Sequence, residues 1–269
     1  YPVSTPKFKA GMDRNFWIWE EYHADREYLM TVDVARGDGK DYSSFQMLDL
    51  TTMEQAAEYK GKLSEDLFAE MVYDAAKQYG SPLLVVENNK GNSVLMRLQE
   101  KEYPRIYFAR RGTHEYVDSL DAASLPGTIA GFTMSLKTRP QVFSKMEEYI
   151  RNKRFVLRSK RLYTELEGFV WKNGRPQAQN GTNDDLVVAF AIGCWVKDTA
   201  LEANHREIAH NQACLAVITR KSTAFDSRAT YSRGFSLGPE LMRKTEQQRK
   251  VEEQEEYSWL FDTPPIYKA

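Results

Sequence analysis

The sequence predicts an α/β protein with a mixed sheet, in which three antiparallel strands are followed by helix-linked parallel strands and helices flank the sheet. Two observations predict this class. Residues 28–33 and 43–50 are strand-like runs on either side of a Gly-rich turn at 35–40, which is the pattern of a hairpin. Residues 83–87, Leu-Leu-Val-Val-Glu, form a short continuous apolar run, which is typical of a strand buried on both faces.

The composition fits a soluble globular protein that is long enough to bury a full core. The chain has 269 residues, 42% of them hydrophobic and 28% charged, with a formal net charge of −1. The longest apolar run, residues 186–196, is too short to span a bilayer, so we expect no membrane partner. Cys194 and Cys214 are the only cysteines, which excludes a disulfide framework and favours a reducing compartment.

The first 27 residues predict a linker followed by an edge strand. Residues 1–13 are polar and contain Pro2 and Pro6, which favours a linker. Residues 16–22, Phe-Trp-Ile-Trp-Glu-Glu-Tyr, are aromatic and strand-like. We therefore expect residues 16–22 to cover an edge of the main sheet.

The pattern between residues 28 and 109 gives the order of the core elements. After the central hairpin come a third strand, a helix that Ser64 caps, the buried strand, a second helix and, after Pro104, a fifth strand. This is the RNase H-like order, and its helix-linked parallel half obeys the right-handed crossover rule. The predicted bounds are 53–59 for the third strand, 92–102 for the second helix and 105–109 for the fifth strand.

Residues 110–200 predict the rest of an RNase H-like domain that we expect to span residues 28–200. Asn173-Gly174 is the signal of a tight hairpin turn. The expected elements are helices at 138–152, 158–168 and 184–196 and a hairpin at 169–179.

The last part of the chain, residues 201–269, has a different character. Residues 221–239 are rich in Ser, Thr and Arg, and residues 240–256 show a helical pattern with many charged side chains. Such a composition predicts a C-terminal appendage to the domain, a tail that is partly helical or mobile.

Carboxylates stand at three element ends of the predicted core. Asp33 and Glu87 close strands one and four, which are parallel neighbours in this order, so both emerge at the same edge of the sheet. Asp184 and Asp185 open a helix. Singly, each has an ordinary explanation, as a turn aspartate or as a partner of the helix dipole. Together they would repel each other in a partly dry site, which favours hard divalent cations, and two Mg²⁺ ions suit displacement at phosphorus.

Three motifs carry a resemblance to a known family. They are Asp-Val-Ala-Arg-Gly-Asp-Gly-Lys-Asp-Tyr-Ser-Ser-Phe from Asp33, Val-Val-Glu-Asn-Asn-Lys-Gly from Val85 and Asn-Asp-Asp-Leu-Val-Val-Ala-Phe from Asn183. In this order and spacing, over residues 28–196, they resemble the nuclease domain of the terminase large subunit of tailed bacteriophages. The most similar pattern is that of the DNA-packaging motors of large contractile-tailed phages. The resemblance implies an RNase H-like fold.

The resemblance also implies an endonuclease that cuts concatemeric viral DNA with little sequence specificity. Its cofactors would be two Mg²⁺ ions, for which Mn²⁺ would substitute. The resemblance carries the catalytic and metal-binding acids onto Asp33, Glu87 and Asp185, with Asp184 as a helper at the metal. Arg36 departs from the pattern, because some relatives have a glutamate in this loop.

The partners that the resemblance implies are double-stranded DNA, the terminase ATPase domain of the full-length protein, the terminase small subunit and the capsid portal. The implied location is the cytoplasm of the infected bacterial host, docked on the viral procapsid. We expect no ATPase in this chain, because Gly37-Asp38-Gly39-Lys40 lacks the spacing of a phosphate-binding loop. The chain begins with Tyr1 rather than Met, which favours a piece of a longer protein.

A basic stretch at residues 137–175 is the candidate DNA-binding surface. It holds eleven Lys or Arg against four Glu, a local net charge of +7 in a chain of −1. A solvated face is the alternative interpretation. Because the stretch lies between the second and third carboxylates, we expect it to flank the catalytic groove and to neutralise phosphates without reading bases. The predicted DNA-binding residues are Arg110, Arg111, Lys137, Arg139, Lys145, Arg151, Lys153, Arg154, Arg158, Lys160, Arg161, Lys172 and Arg175.

Two other functions fit parts of the sequence. An actin-like or sugar-kinase-type ATPase shares the RNase H-like core, but it needs a duplicated core and a second Gly-rich Asp loop after residue 196. A non-catalytic module that grips DNA and docks on the portal needs no acidic site. The presence of Asp33, Glu87 and the pair Asp184-Asp185 argues against this module.

Overall fold

A computed structural model of the protein describes residues 3–35, 41–112, 115–117, 122–172 and 174–201. Within these ranges, no helix is both long and apolar enough to cross a membrane. Two predictions fall outside the described residues: the tail from residue 202 onward, and the part of the Gly-rich turn at 36–40 that contains Arg36.

A six-stranded mixed sheet forms the centre of the fold. Its strands are β1 (Phe8–Ala10), β2 (Phe16–Ile18), β3 (Tyr28–Asp33), β4 (Ser43–Asp49), β5 (Glu54–Gly61) and β6 (Leu83–Val86). Across the sheet the order is β1-β2-β5-β4-β3-β6. β3 and β6 run parallel, and the other neighbours are antiparallel. The predicted mixed sheet, with an antiparallel part followed by a helix-linked parallel strand, is confirmed.

Helices cover both faces of this sheet, and two small hairpin-like sheets accompany them. The helices are α1 (Glu65–Gln78), α2 (Asn92–Glu100), α3 (Thr138–Arg151), α4 (Lys160–Glu167) and α5 (Asp185–Val196), and a π-helical turn follows at Lys197–Leu201. The small sheets pair β7 (Phe108–Arg110) with β8 (Thr128–Ala130) and β9 (Phe169–Lys172) with β10 (Arg175–Ala178).

Each face of the sheet has its own hydrophobic core, because successive side chains of a strand point to opposite faces. On one face, Met30 and Val32 of β3 belong to the core that includes Phe68 of α1. On the other face, Leu29 belongs to the core that includes Phe190 of α5. β3 is therefore covered on both sides, as its apolar sequence predicts.

Helix α5 lies in the middle of the second core. All of its residues except Trp195 are buried. Thr31 Oγ1 of β3 donates a hydrogen bond to the carbonyl oxygen of Ala189 at 2.7 Å. A Cβ on Gly193 would lie 2.5 Å from Leu48 Cδ1, so glycine permits the close approach of α5 to β4. Packing along the whole length of α5 consequently fixes the position of its N-terminus.

Two elements differ from the sequence prediction. Residues 8–10, predicted as linker, form β1 and pair with β2. The sequence did not predict this strand, because three exposed residues are too few to show an alternating pattern. The predicted fifth strand of the main sheet, at 105–109, is reduced to one parallel bridge between Leu84 and Ile106. Just beyond this bridge, Phe108–Arg110 pairs with β8 on one side and with residues 115–117 on the other.

Candidate active site

Strands β3 and β6 end side by side at one edge of the sheet. Val32 and Val86 are paired in parallel register, and the N–H of Glu87 donates to the carbonyl oxygen of Val32 at 2.9 Å. Asp33 is the last residue of β3 and Glu87 directly follows β6. These two predicted acids are therefore neighbours at the same edge.

The N-terminus of α5 reaches this edge along β4. Ser44, which is the register partner of Asp33, donates through Oγ to the carbonyl oxygen of Asp185 at 2.9 Å. The N–H of Tyr42 donates to Asp185 Oδ1 at 3.3 Å. Strand β4 thus links Asp185 to Asp33, and the three acids singled out in the sequence come from three elements to one edge of the sheet.

The three carboxylates at this edge all have a raised pKa. Burial raises the pKa of Asp33 well above its ordinary value, and the charge of Glu87, followed by that of Asp185, raises it further. Burial also raises the pKa of Glu87 and of Asp185. Carboxylates in this situation favour a proton or a bound cation over their bare ionised form.

Glu87, Asp184 and Asp185 each have a protein partner. Within the described ranges, no three His, Cys, Asp or Glu side chains stand close enough together to form a ready-made metal-binding group. Asp184 Oδ2 pairs with Arg139 of α3 at 3.0 Å, and Glu87 Oε1 accepts from Asn89 Nδ2 at 2.7 Å. A cation shared by these carboxylates would therefore require some of these side chains to turn from their present partners.

The loop after β6 fixes the position of Glu87. Asn89 Nδ2 also donates to the carbonyl oxygen of Met134 at 2.8 Å, so one amide ties Glu87 to the neighbouring segment. A Cβ on Gly91 would lie 2.4 Å from the carbonyl oxygen of Glu87, which explains why this tight turn requires glycine. Lys90 Nζ pairs with Asp41 Oδ2 at 3.1 Å across the edge. Neither Asn89 nor Lys90 was predicted as a site residue, although both stand inside the second motif.

Two further residues that the sequence analysis did not assign to the metal site are Lys60 of β5 and Glu165 of α4. Lys60 Nζ forms an ion pair with Glu165 Oε1 and lies 3.6 Å from Asp185 Oδ2. Burial raises the pKa of Glu165 to about 7, against the opposing charge of Lys60. A cavity of about 510 Å³ opens next to them and is also lined by Tyr42. No spacing in the sequence points to this pair.

The predicted DNA-binding cations fall into two groups. Those that form ion pairs with described carboxylates are Arg139, Lys145, Arg151, Arg154, Arg158 and Arg161. Those that are exposed and form no ion pair with another described residue are Arg110, Arg111, Lys137, Lys153, Lys160, Lys172 and Arg175.

The two groups differ in whether their side chains make contacts that stabilise the fold. Arg161 pairs with the buried Glu58 at 2.9 Å and its guanidinium stacks on Trp17, 3.7 Å from the ring centre. Such contacts fix α4 to the sheet, and DNA contact by Arg161 stays a prediction. Lys172 and Arg175 are register partners across the β9–β10 hairpin, where both are exposed.

Solved structures of other proteins share the fold of this chain. No family model matches the chain. The large terminase nuclease of thermophilic phage G20c with bound magnesium is 16% identical, and the match covers 72% of this chain and 92% of that one with a TM-score of 0.54. The same nuclease with bound cobalt gives 16% identity, the same coverage and a TM-score of 0.53.

A second phage protein has the same architecture. The large terminase nuclease domain of Thermus phage P74-26 is 15% identical, and the match covers 73% of this chain and 90% of that one with a TM-score of 0.52. The resemblance stated from the three motifs is thus confirmed at the level of the fold. The chain has the RNase H-like fold of phage large terminase nuclease domains.

Proposed function

We propose that this chain is the metal-dependent endonuclease domain of a phage genome-packaging terminase and that it hydrolyses phosphodiester bonds of double-stranded DNA. The observation that carries the proposal is the meeting of Asp33, Glu87 and Asp185 at one sheet edge, in a fold shared with large terminase nucleases. Concatemeric viral DNA, cut with little sequence specificity, is the proposed substrate.

The side chains at this edge fit hard divalent cations. Carboxylate oxygens are the ligands that Mg²⁺ prefers in proteins. Asp185 Oδ2 is buried and accepts no hydrogen bond, and its only ion-pair contact with another described residue is Lys60 Nζ at 3.6 Å, so a cation would displace no hydrogen bond from this oxygen. Burial and, after it, the charge of Glu87 raise the pKa of Asp33, and a bound cation would oppose both effects. We assign Asp33, Glu87 and Asp185 as ligands of two Mg²⁺ ions, with Asp184 as a helper and Mn²⁺ as a substitute.

The proposed reaction adds one water across one P–O bond of the backbone. When bound, the cations supply charge stabilisation for the attacking and leaving oxygens of an in-line displacement at phosphorus. Asp33 stands between Glu87 and Asp185, so it would orient both halves of the site. Exposed Lys and Arg of the basic stretch would hold phosphates without reading bases, which suits cutting with little sequence preference.

The proposed context is the packaging motor. In the full-length protein an ATPase domain would drive DNA, and the terminase small subunit and the capsid portal would be partners. The work would take place in the cytoplasm of the infected bacterium, on the procapsid. The names of the G20c and P74-26 neighbours, both nuclease domains of large terminases, support this context.

Cleavage of plasmid DNA in Mg²⁺ or Mn²⁺ tests the proposal. Asp33→Asn and Glu87→Gln should each lower the cleavage rate by at least about 100-fold, because direct ligands matter more than the outer partners whose loss costs about 10- to 100-fold. EDTA should stop wild-type cleavage. Asp66→Asn, an exposed acid on α1, is the matched control and should cut at the wild-type rate. An Asp33→Asn protein that cuts normally would refute the assignment.

A further inference from the structure

One lysine lies between two buried acids at the N-terminus of α5. The Lys60 side chain is 14% exposed, and those of Glu165 and Asp185 are 6% and 9% exposed. Lys60 forms an ion pair with both acids but is not shared equally, because it hydrogen-bonds to Glu165 Oε1 and lies 3.6 Å from Asp185 Oδ2, beyond hydrogen-bond distance. The choice of partner decides how much negative charge Asp185 keeps.

Hydrogen bonds to α5 hold the Glu165 side chain and stabilise the negative charge that Lys60 pairs with, and the helix that carries Glu165 is capped. Its Oε2 accepts from the N–H groups of Leu186 and Val187, at 2.9 and 3.2 Å. These belong to the first turn of α5, where N–H groups lack helical partners and favour a negative charge. On the other side, Ser159 caps α4 by accepting from the N–H of Leu162 at 3.1 Å.

Asp185 accepts fewer hydrogen bonds than Glu165. Its Oδ1 accepts one hydrogen bond, from the N–H of Tyr42, and its Oδ2 is buried without a hydrogen-bond partner. A buried carboxylate oxygen without a partner is costly. A closer Lys60 would remove that cost, but it would also neutralise Asp185.

We infer that Glu165 is a positioning residue of the proposed metal centre, which holds Lys60 as its own counter-ion and thereby keeps Asp185 Oδ2 open to a divalent cation. This inference rests on the proposed function and adds a role for two residues outside the three motifs. Removing the charge of Glu165 releases Lys60 to pair with Asp185 and to compete with the metal. Removing Lys60 as well takes away the competitor.

Mn²⁺ binding, measured by isothermal titration calorimetry at pH 8 on the full chain, tests the inference. The Glu165→Gln variant is isosteric, and its amide oxygen can still accept from the N–H groups of Leu186 and Val187. It should bind Mn²⁺ about tenfold more weakly than the wild type, the lower end of the loss for an outer partner of a metal site. The double variant with Lys60→Met should regain affinity to within about threefold of the wild type, whereas a purely structural role for Glu165 predicts no such rescue.

Controls separate the inference from general effects. Glu70→Gln removes a carboxylate of α1 that pairs with Arg97 of α2 and with Lys101 just after α2, and it should leave Mn²⁺ affinity unchanged. Melting temperatures should confirm that every variant is folded. If the double variant with Lys60→Met does not fold, Lys60→Gln in the same background replaces it. Wild-type affinity in Glu165→Gln, or a double variant as weak as the single one, overturns the inference.

Failure of the inference and failure of the proposed function give different results. Asp185→Asn should weaken Mn²⁺ binding whether or not Glu165 has a positioning role. If Asp185→Asn binds Mn²⁺ as tightly as the wild type, or the wild type binds none, the proposed metal centre fails and the inference with it. If binding depends on Asp185 but not on Glu165, the inference alone fails.

Discussion

Two buried carboxylates near α4 and α5 are satisfied to very different extents. Glu58 is fully buried and Asp185 is 7% exposed. Asp185 accepts a single hydrogen bond, on Oδ1, and its Oδ2 has none. Glu58 accepts on both oxygens, from Ser159 Oγ, Arg161 Nε, Gln55 Nε2 and Gln46 Nε2.

The difference separates a carboxylate that holds the fold from one that is available to a ligand. A fully hydrogen-bonded buried charge rigidifies its surroundings and loses stability when a partner is removed. An incompletely bonded one lowers stability until something binds it. Glu58 joins β5 to α4, whereas Asp185 faces the edge at which β3 and β6 end. Burial alone therefore does not separate Glu58 from the proposed ligand Asp185, but the extent of hydrogen bonding does.

The largest expected effect comes from exchanging the two acids for their amides. Asp185→Asn should lower cleavage by at least about 100-fold with little loss of stability, because it removes a ligand and a repelling charge. Glu58→Gln should cost up to about 3 kcal/mol of unfolding free energy, because Arg161 loses its buried counter-ion. The folded fraction should still bind Mn²⁺. Plasmid cleavage and urea unfolding measure the two effects, and the reverse pattern would break the comparison.

A smaller effect is expected at Asp184, which sharpens the comparison within the Asp pair. Asp184 is partly exposed and pairs with Arg139 at 3.0 Å, so it is better satisfied than Asp185. Asp184→Asn should lower cleavage by about tenfold, the lower range for outer partners of a metal site. The two asparagine variants are compared at equal Mg²⁺. A loss at Asp184 that equals or exceeds the loss at Asp185 would show that the wrong aspartate is assigned as the ligand.

The same contrast applies to cations and predicts a moderate effect on DNA binding. Lys172 and Arg175 are exposed without a described counter-ion, whereas Arg151 and Arg154 pair with Glu147 and Glu148. Lys172→Glu with Arg175→Glu should flatten the plot of log affinity against log salt by about 0.9 for each phosphate that the protein no longer neutralises.

The matched control for this prediction is the double variant Arg151→Glu with Arg154→Glu, which changes the charge by the same amount. It should alter the slope less, because its arginines are already engaged by carboxylates. Fluorescence anisotropy with two unrelated duplexes measures both variants. Equal slopes for the two variants would mean that ion pairing does not distinguish the cations that bind DNA from those that do not.

The smallest expected effect is on pH dependence and concerns Glu165. Its pKa is raised to about 7 by burial, which the charge of Asp185 reinforces and that of Lys60 opposes. An acid with a raised pKa is neutral below that value, so wild-type Glu165 resembles glutamine at pH 6 and differs from it at pH 8. The ratio of Mn²⁺ affinities between wild type and Glu165→Gln should fall from about tenfold at pH 8 towards one at pH 6.

Using a ratio removes the background titration from this measurement. Asp33 and Glu87 are present in both proteins, so their contribution largely cancels, whereas Asp185 is coupled to Glu165 and belongs to the effect that is measured. Glu70→Gln should give a ratio near one at both pH values. A ratio that stays constant from pH 6 to pH 8 would mean that the charge of Glu165 does not control the site.

The meeting of the acids could be predicted from the sequence because it follows from topology. Asp33 and Glu87 end strands that the element order makes parallel neighbours, and parallel neighbours end at the same edge. Asp185 opens an apolar run with no polar side, which predicts a buried helix. These features are local in the chain and need no knowledge of side-chain contacts.

The partners of the acids could not be predicted in this way. Lys60 and Glu165 are 105 residues apart, and each stands in an element where a charged residue is ordinarily solvated. A charge count likewise cannot distinguish Arg161, which holds Glu58, from Arg175, which is exposed. Short strands such as β1 could not be predicted either, because three residues are too few to show the alternation of a strand.

Helix α5 has no side that faces water, and this has a consequence for how the protein can lose activity. Gly193 lies against Leu48 eight residues beyond Asp185, about 12 Å along the helix axis. A bulky residue there would lift the helix from the sheet and carry the acid at its far end with it. Heat inactivation should accordingly coincide with global melting, and interior substitutions far from the edge should behave like active-site lesions. A screen for impaired cutting would thus recover many positions that never approach DNA.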